Sequence, residues 1–192
     1  MQTQTPYSLR RWTRREYDRL VELGMFAREP LELIGGELMV AEPQGSYHAG
    51  TVGLAGAVLT AAMPRGWIVR IQLPVALDDE SEPEPDLAVV PGAYADYLVA
   101  HPRRPALVIE VAESSLAFDR RVKGSLYARG GVPDYWIVNL VDRAVEVYRD
   151  PAPETGAAYG WSYRAVERLA PPGAVVALAL PQVRIAVAYL LP

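Results

Sequence analysis

The chain has 192 residues, 51% of them hydrophobic, which is enough for a packed core and fits one ordinary domain over 1–192. Cysteine is absent, which excludes disulfides, thiolate metal sites and cysteine nucleophiles. A net charge of −4 argues against a nonspecific polyanion binder, and no apolar run approaches the length of a membrane span.

Residues 1–12 are expected to form a flexible arm. Met1 to Ser8 are polar, with no signal-peptide core, and with the missing cysteines this fits a cytoplasmic protein. Thr13-Arg14-Arg15-Glu16 is a capping box that opens a helix over Thr13 to Met25. Arg10, Arg11, Arg14 and Arg15 oppose the dipole of that helix. They read as a basic arm or as a polyanion contact, and not as stabilisers. Leu31 to Ile34 and Glu37 to Val40, joined by Gly35-Gly36, read as a β-hairpin with a two-residue turn. Glu37 follows that turn and is either a solvated carboxylate or a supporting group beside a metal. Ser46 is a candidate N-cap for a helix to Met63 that is rich in glycine and alanine. His48 shares a stripe with Val52, Ala55 and Leu59, so it faces inward. It is either a hydrogen-bonded core residue or a site residue that contacts phosphate or water.

Trp67 to Leu73 reads as a strand, which Val75 to Leu77 continues or pairs with. Six acids then crowd into the nine positions from Asp78 to Asp86. Leu87 to Val90 and Ala106 to Ile109 are short, β-branched and bounded by proline, glycine or charge, so both read as strands. Neither alternates with polar residues, which places them in the centre of a sheet covered on both faces. The connection from Pro91 to Pro105, with a short helix at Tyr94 to Val99, is expected to overhang the carboxylates Asp86 and Glu110, with Arg103 and Arg104 at its end. Glu113-Ser114-Ser115 is a turn, and a helix from Asp119 to Arg129 is closed by Gly130-Gly131. Asp134 to Val138 is a strand, and Arg143 to Arg149 forms a hairpin with it. Pro151 to Gly160 is a loop. Strands at Trp161 to Glu167 and Ala174 to Leu178 follow. Val183 to Leu190 alternates as a strand and also fits a final helix. The core is placed at about 13–150.

The chemistry gathers between Pro85 and Lys123. If the two central strands pair antiparallel, the start of one lies beside the end of the other. Asp86 and Glu110 then share one edge of the sheet, and period-two alternation puts them on one face. A carboxylate that ends a buried apolar strand needs a cation, a proton or hydrogen-bond donors. A divalent metal shared with Asp86 meets that need. The chain has eighteen arginines and a single lysine, Lys123. Asp119, Lys123 and Tyr127 are spaced by four and lie on one helix face, so Lys123 is either a site ammonium or half of a surface ion pair with Asp119. Arg103, Arg104, Arg120 and Arg121 are expected to flank this site, either as a basic rim for nucleic acid or as an ordinary solvated surface.

These residues resemble a known group. The segment Leu31-Glu32-Leu33-Ile34-Gly35-Gly36-Glu37-Leu38, His48, Pro85-Asp86, Glu110-Val111-Ala112-Glu113-Ser114-Ser115, Asp119, Lys123 and the run from Tyr127 to Trp136 are similar to the Uma-type restriction endonuclease family of the PD-(D/E)XK nuclease superfamily. The resemblance covers Thr13 to Arg149. It implies an α/β, restriction-endonuclease-like fold, a mixed central β-sheet flanked by α-helices with extra β-hairpins. It implies that Asp86 and Glu110 bind Mg²⁺ or Mn²⁺, with the Val111 carbonyl as a further ligand, and that Glu37 and His48 match family positions. The usual pattern has a lysine two residues after the glutamate. Here that position is Ala112, so the lysine would be supplied from the following helix as Lys123.

Three functions compete. The leading one is a metal-dependent endonuclease acting on nucleic acid, with DNA as the favoured substrate and a homodimer as a plausible state. The second is a nuclease-like fold kept as a binding or regulatory module without turnover. The third is a two-carboxylate hydrolase such as a glycosidase, which leaves Lys123 without a role.

Overall fold

A computed structural model describes residues 8–27, 29–41 and 43–192. Residues 1–7 of the expected arm lie outside that set. Helix α1 (Arg14–Glu22) begins at the foreseen capping box. The Thr13 hydroxyl accepts from the Glu16 amide, and the Glu16 carboxylate accepts from the Thr13 amide. The arginines around it are not a free arm. Arg10 pairs with Glu16, and Arg11 donates to the Gly35 carbonyl. Arg14 donates to the Asp78 carbonyl and lies 3.8 Å from Glu82. Glu16 beside Arg10, and Asp18 and Glu82 beside Arg14, supply countercharge that offsets the unfavourable dipole placement.

Strands β1 (Leu31–Ile34) and β2 (Glu37–Val40) form the expected hairpin. Gly35 and Gly36 have φ of +57° and +81°, the left-handed pair a two-residue turn requires. Helix α2 (Ser46–Ala62) starts one residue earlier than the Ser46 cap implies. Gly45 is the N-cap, and no side chain caps it. Val52, Ala55 and Leu59 are buried as the stripe predicts. A side chain at Gly56 would meet Ile71, so the small residues let α2 lie close on the sheet.

The main sheet has six strands in the order β3-β4-β5-β6-β7-β8. They are β3 (Trp67–Ile71), β4 (Leu87–Pro91), β5 (Leu107–Ala112), β6 (Asp134–Asn139), β7 (Ala144–Pro153) and β8 (Trp161–Leu169). Only β5 and β6 are parallel, and every other pairing is antiparallel. β7 runs to Pro153, so part of the expected 151–160 loop is strand. β9 (Ala174–Ala177) and β10 (Leu180–Ala186) form a separate hairpin, and the last segment ends in a single 3₁₀ turn at Val187–Tyr189 and not in a helix. Val75–Leu77 joins no strand. Its amides bond to the Pro83, Pro102 and Ser81 carbonyls, because the turn at Asp78–Ser81 folds the chain back on it.

Each face of the sheet has its own apolar layer. Leu87, Val89, Ile109, Val111 and Trp136 pack on α2 and on Val175, Ile185 and Leu190 of the C-terminal segment. Ala88, Val108, Ala112, Tyr135 and Ile137 pack under the hairpin residue Ile34 and under Leu126 and Tyr127. The latter two come from one continuous helical stretch between β5 and β6: α3 (Leu116–Phe118), a π turn (Asp119–Lys123) and α4 (Gly124–Arg129). The expected helix is therefore present, with one wide turn in it.

The connection between β4 and β5 contains a 3₁₀ turn at Tyr94–Tyr97 and does not overhang the carboxylates. Antiparallel neighbours joined at one end have their other ends free, and Asp86 and Glu110 sit at those other ends. Arg103 and Arg104 instead line a separate cavity with Leu77, Pro91 and Tyr97.

Candidate metal centre

The β4–β5 register pairs Leu87 with Ile109, which sets Asp86 opposite Glu110. The Asp86 amide lies 3.3 Å from Glu110 Oε2, and the Val111 amide donates to Asp86 Oδ2 at 2.8 Å. Each carboxylate is thus gripped by the other residue's strand. Both are buried, at 6% and 3% exposure.

Three further side chains close on this pair. Lys123 Nζ donates to Glu110 Oε1 at 3.0 Å, and the Tyr127 hydroxyl donates to the same oxygen at 2.6 Å. The wide π turn sits at the step between Asp119 and Lys123, so it sets the height and rotation at which Lys123 meets the sheet. Asp119 takes a bond from Ser115 at 2.6 Å and forms no ion pair with Lys123. The surface-pair reading of Lys123 therefore fails. His48 is the third. Its Nε2 lies 2.8 Å from the Val111 carbonyl oxygen and 3.2 Å from Asp86 Oδ2, while its Nδ1 is buried without a partner.

Titration follows from these contacts. Burial pushes the Glu110 carboxyl up, Lys123 opposes this, and Asp86 and Asp119 add to it. Burial works against the Lys123 ammonium, but Glu110, Glu32 and Asp119 outweigh it, so the ammonium is held protonated. The hydrogen bond to Asp86 raises His48 above its ordinary value. Burial, reinforced by Glu110, puts the Tyr127 phenol well above its usual range, so it stays a donor.

The cavity here, of about 480 Å³, is acidic. Glu32, Glu84, Asp86, Glu110, Glu113 and Asp119 line it, against one ammonium. Among the described residues, no group of three His, Cys, Asp or Glu side chains converges to form a metal cage. The oxygen donors that meet are two carboxylates and the Val111 carbonyl. The cavity with Arg103 and Arg104 lies at the opposite end of β4 and has no carboxylate in its lining.

Of the residues singled out from sequence, Asp86, Glu110, Val111, Lys123 and His48 come together. Glu37 does not. It is exposed at the hairpin turn, 3.9 Å from Arg11, and the hairpin turns Glu32 to the cavity in its place. Arg120 also points elsewhere, making a two-point contact with Glu146 of β7. Tyr127 and Glu84 were not assigned roles. Tyr127 carried a signal in its four-residue spacing from Lys123, and Glu84 was one of six acids with nothing to separate it from the rest.

Comparison with known proteins agrees with this architecture. A family model named Uma2, described as "Putative restriction endonuclease", matches residues 14–188. A crystal structure from Anabaena variabilis ATCC 29413, described as "a putative nuclease belonging to DUF820", superposes with a TM-score of 0.59 at 15% identity. The superposition covers 83% of this chain and 88% of that one, and at this identity it shows the shared fold alone. A search of curated proteins gives no match. With the family model spanning the whole six-stranded sheet and the site, the chain belongs to the Uma2 family.

Proposed function

We propose that this protein is a metal-dependent endonuclease that hydrolyses phosphodiester bonds in nucleic acid, with DNA as the favoured substrate. The observation that carries this reading is the meeting of two buried carboxylates and the chain's only lysine in one acidic cavity. The donor set suits Mg²⁺ or Mn²⁺. Asp86, Glu110 and the Val111 carbonyl offer hard oxygen ligands, and such ions keep water for the rest of their shell. Six carboxylates against one ammonium in the cavity lining leave negative charge that a divalent cation would balance.

When bound, such an ion polarises the phosphate and lowers the pKa of a bound water. The remaining work falls to the chain. Asp86 and Glu110 would hold the ion. Lys123 holds a compact positive charge beside Glu110, where it orients the attacking water or steadies charge on the phosphate oxygens. Tyr127 shares Glu110 Oε1 with Lys123, so Oε2, which faces the Asp86 amide, is the oxygen that would have a lone pair free for an ion. His48 braces the Val111 carbonyl, and a carbonyl has a second lone pair for a ligand.

The test is incubation of plasmid DNA, single-stranded DNA and RNA with the protein in Mg²⁺, Mn²⁺ or EDTA. Cleavage of DNA that requires the metal is expected. Metal binding without cleavage of any substrate would favour the binding-module reading, and cleavage that persists in EDTA would overturn the metal centre.

A further inference from the structure

Three non-glycine residues adopt a left-handed backbone: Gln72 (φ +48°), Arg143 (+50°) and Asp150 (+59°). Arg143 lies in the β6–β7 turn, where such a conformation is ordinary. Asp150 is exposed and faces Arg164. Gln72 is different because it touches the proposed centre. It is the first residue after β3, and its amide donates to the Asp86 carbonyl at 3.0 Å, one step beyond the last β3–β4 pair. Its carboxamide nitrogen lies 3.5 Å from Asp86 Oδ1.

The contacts of Asp86 show why this matters. Its amide is spent on Glu110, and its Oδ2 is spent on the Val111 amide with His48 beside it. Oδ1 is the oxygen left over, and Gln72 is the side chain that faces it. Gln72 is exposed, so it fills no core space, and the one side-chain contact it makes here is with Asp86 Oδ1. Glycine or asparagine would adopt this backbone with less strain. A strained residue at a site, with no packing reason for its identity, points to function.

We propose that Gln72 is a positioning residue for Asp86, holding Oδ1 in the orientation that receives the cation. This rests on the metal-centre reading above. The strained backbone is retained because it brings amide and carboxamide onto the same aspartate. Partners of metal ligands act in this way, and their loss weakens metal affinity ~10- to 100-fold.

The test is calorimetric titration with Mn²⁺ and thermal melting of the wild type, Gln72→Gly and Gln72→Asn. Gln72→Gly relieves the backbone and removes the carboxamide. It is expected to melt at the wild-type temperature or up to ~4 °C higher, and to bind Mn²⁺ at least ~10-fold more weakly. Gln72→Asn tolerates the backbone, but its carboxamide is one methylene short. It should lose affinity without losing stability. Wild-type affinity in both variants would overturn the role of Gln72 and leave the metal centre standing. Loss of affinity together with a lower melting temperature in both would make the residue structural and would also overturn it. A wild type that binds no Mn²⁺ would bring down the metal centre and this proposal with it.

Discussion

Glu110 is the residue on which the site turns. Its two oxygens have separate duties, since Oε1 takes Lys123 and Tyr127 while Oε2 faces Asp86. Tyr127→Phe removes one donor and changes little else in a fully buried position. It should destabilise the fold by ~1 kcal/mol, the value of one hydrogen bond, and weaken Mn²⁺ binding ~10-fold. Paired urea denaturation and metal titration check both numbers. Asp86 and Glu110 were legible in the sequence because each is a charge placed against an apolar run, which needs a partner, and Lys123 because it is the chain's single lysine, four residues from Asp119 and from Tyr127. Glu37 misled for the opposite reason. Glu32 and Glu37 flank the same turn, and the sequence does not say which of them the docked hairpin turns to the cavity. Gln72 gave no signal at all, because its backbone conformation is imposed by the chain's exit from the sheet.

Among elements, the helical stretch from α3 to α4 does the positioning. Arg120 holds Glu146 and Lys123 holds Glu110, so the π turn is pinned to two strands at once. The sequence revealed the helix and its lysine, but a π turn has no compositional mark. A second junction is less well satisfied. Glu82, of the acidic run, is buried where α1, β1 and the β4–β5 connection meet. Its Oε2 has no hydrogen bond, and Arg14 and His101 stand at 3.8 and 3.9 Å. Burial pushes its carboxyl up to about 7. A carboxyl raised in the fold binds its proton more tightly folded than unfolded. The penalty is therefore absent below the unfolded pKa of 4.5, grows as pH rises toward 7, and is complete above it. Glu82→Gln should raise stability at pH 8 by ~1–3 kcal/mol and change it little at pH 4.5. Urea denaturation at the two pH values measures the difference.

At the scale of the whole molecule, the mixed central sheet and its flanking helices and hairpins match what the family resemblance implied. Short apolar runs identified β4, β5 and β6, because strands covered on both faces lack polar alternation. Connections were harder to place. The β4–β5 segment was expected above the carboxylates, yet the antiparallel pairing that unites Asp86 with Glu110 sends that connection to the far end of the sheet. Arg120, expected at the rim of the site, instead pairs across the fold with Glu146, a contact that depends on tertiary distances. Arg10, Arg14, Arg120 and Arg129 all bind carboxylates of this chain. Among the described residues no helix is long and apolar enough to cross a membrane.

The most direct test of the central claim is plasmid cleavage in Mg²⁺ by the wild type beside Asp86→Asn, Glu110→Gln and Lys123→Ala. The account predicts cutting by the wild type and a loss of at least ~100-fold in each variant. Undiminished cutting by Asp86→Asn or Glu110→Gln would contradict the metal centre, and undiminished cutting by Lys123→Ala would contradict the lysine supplied from the helix.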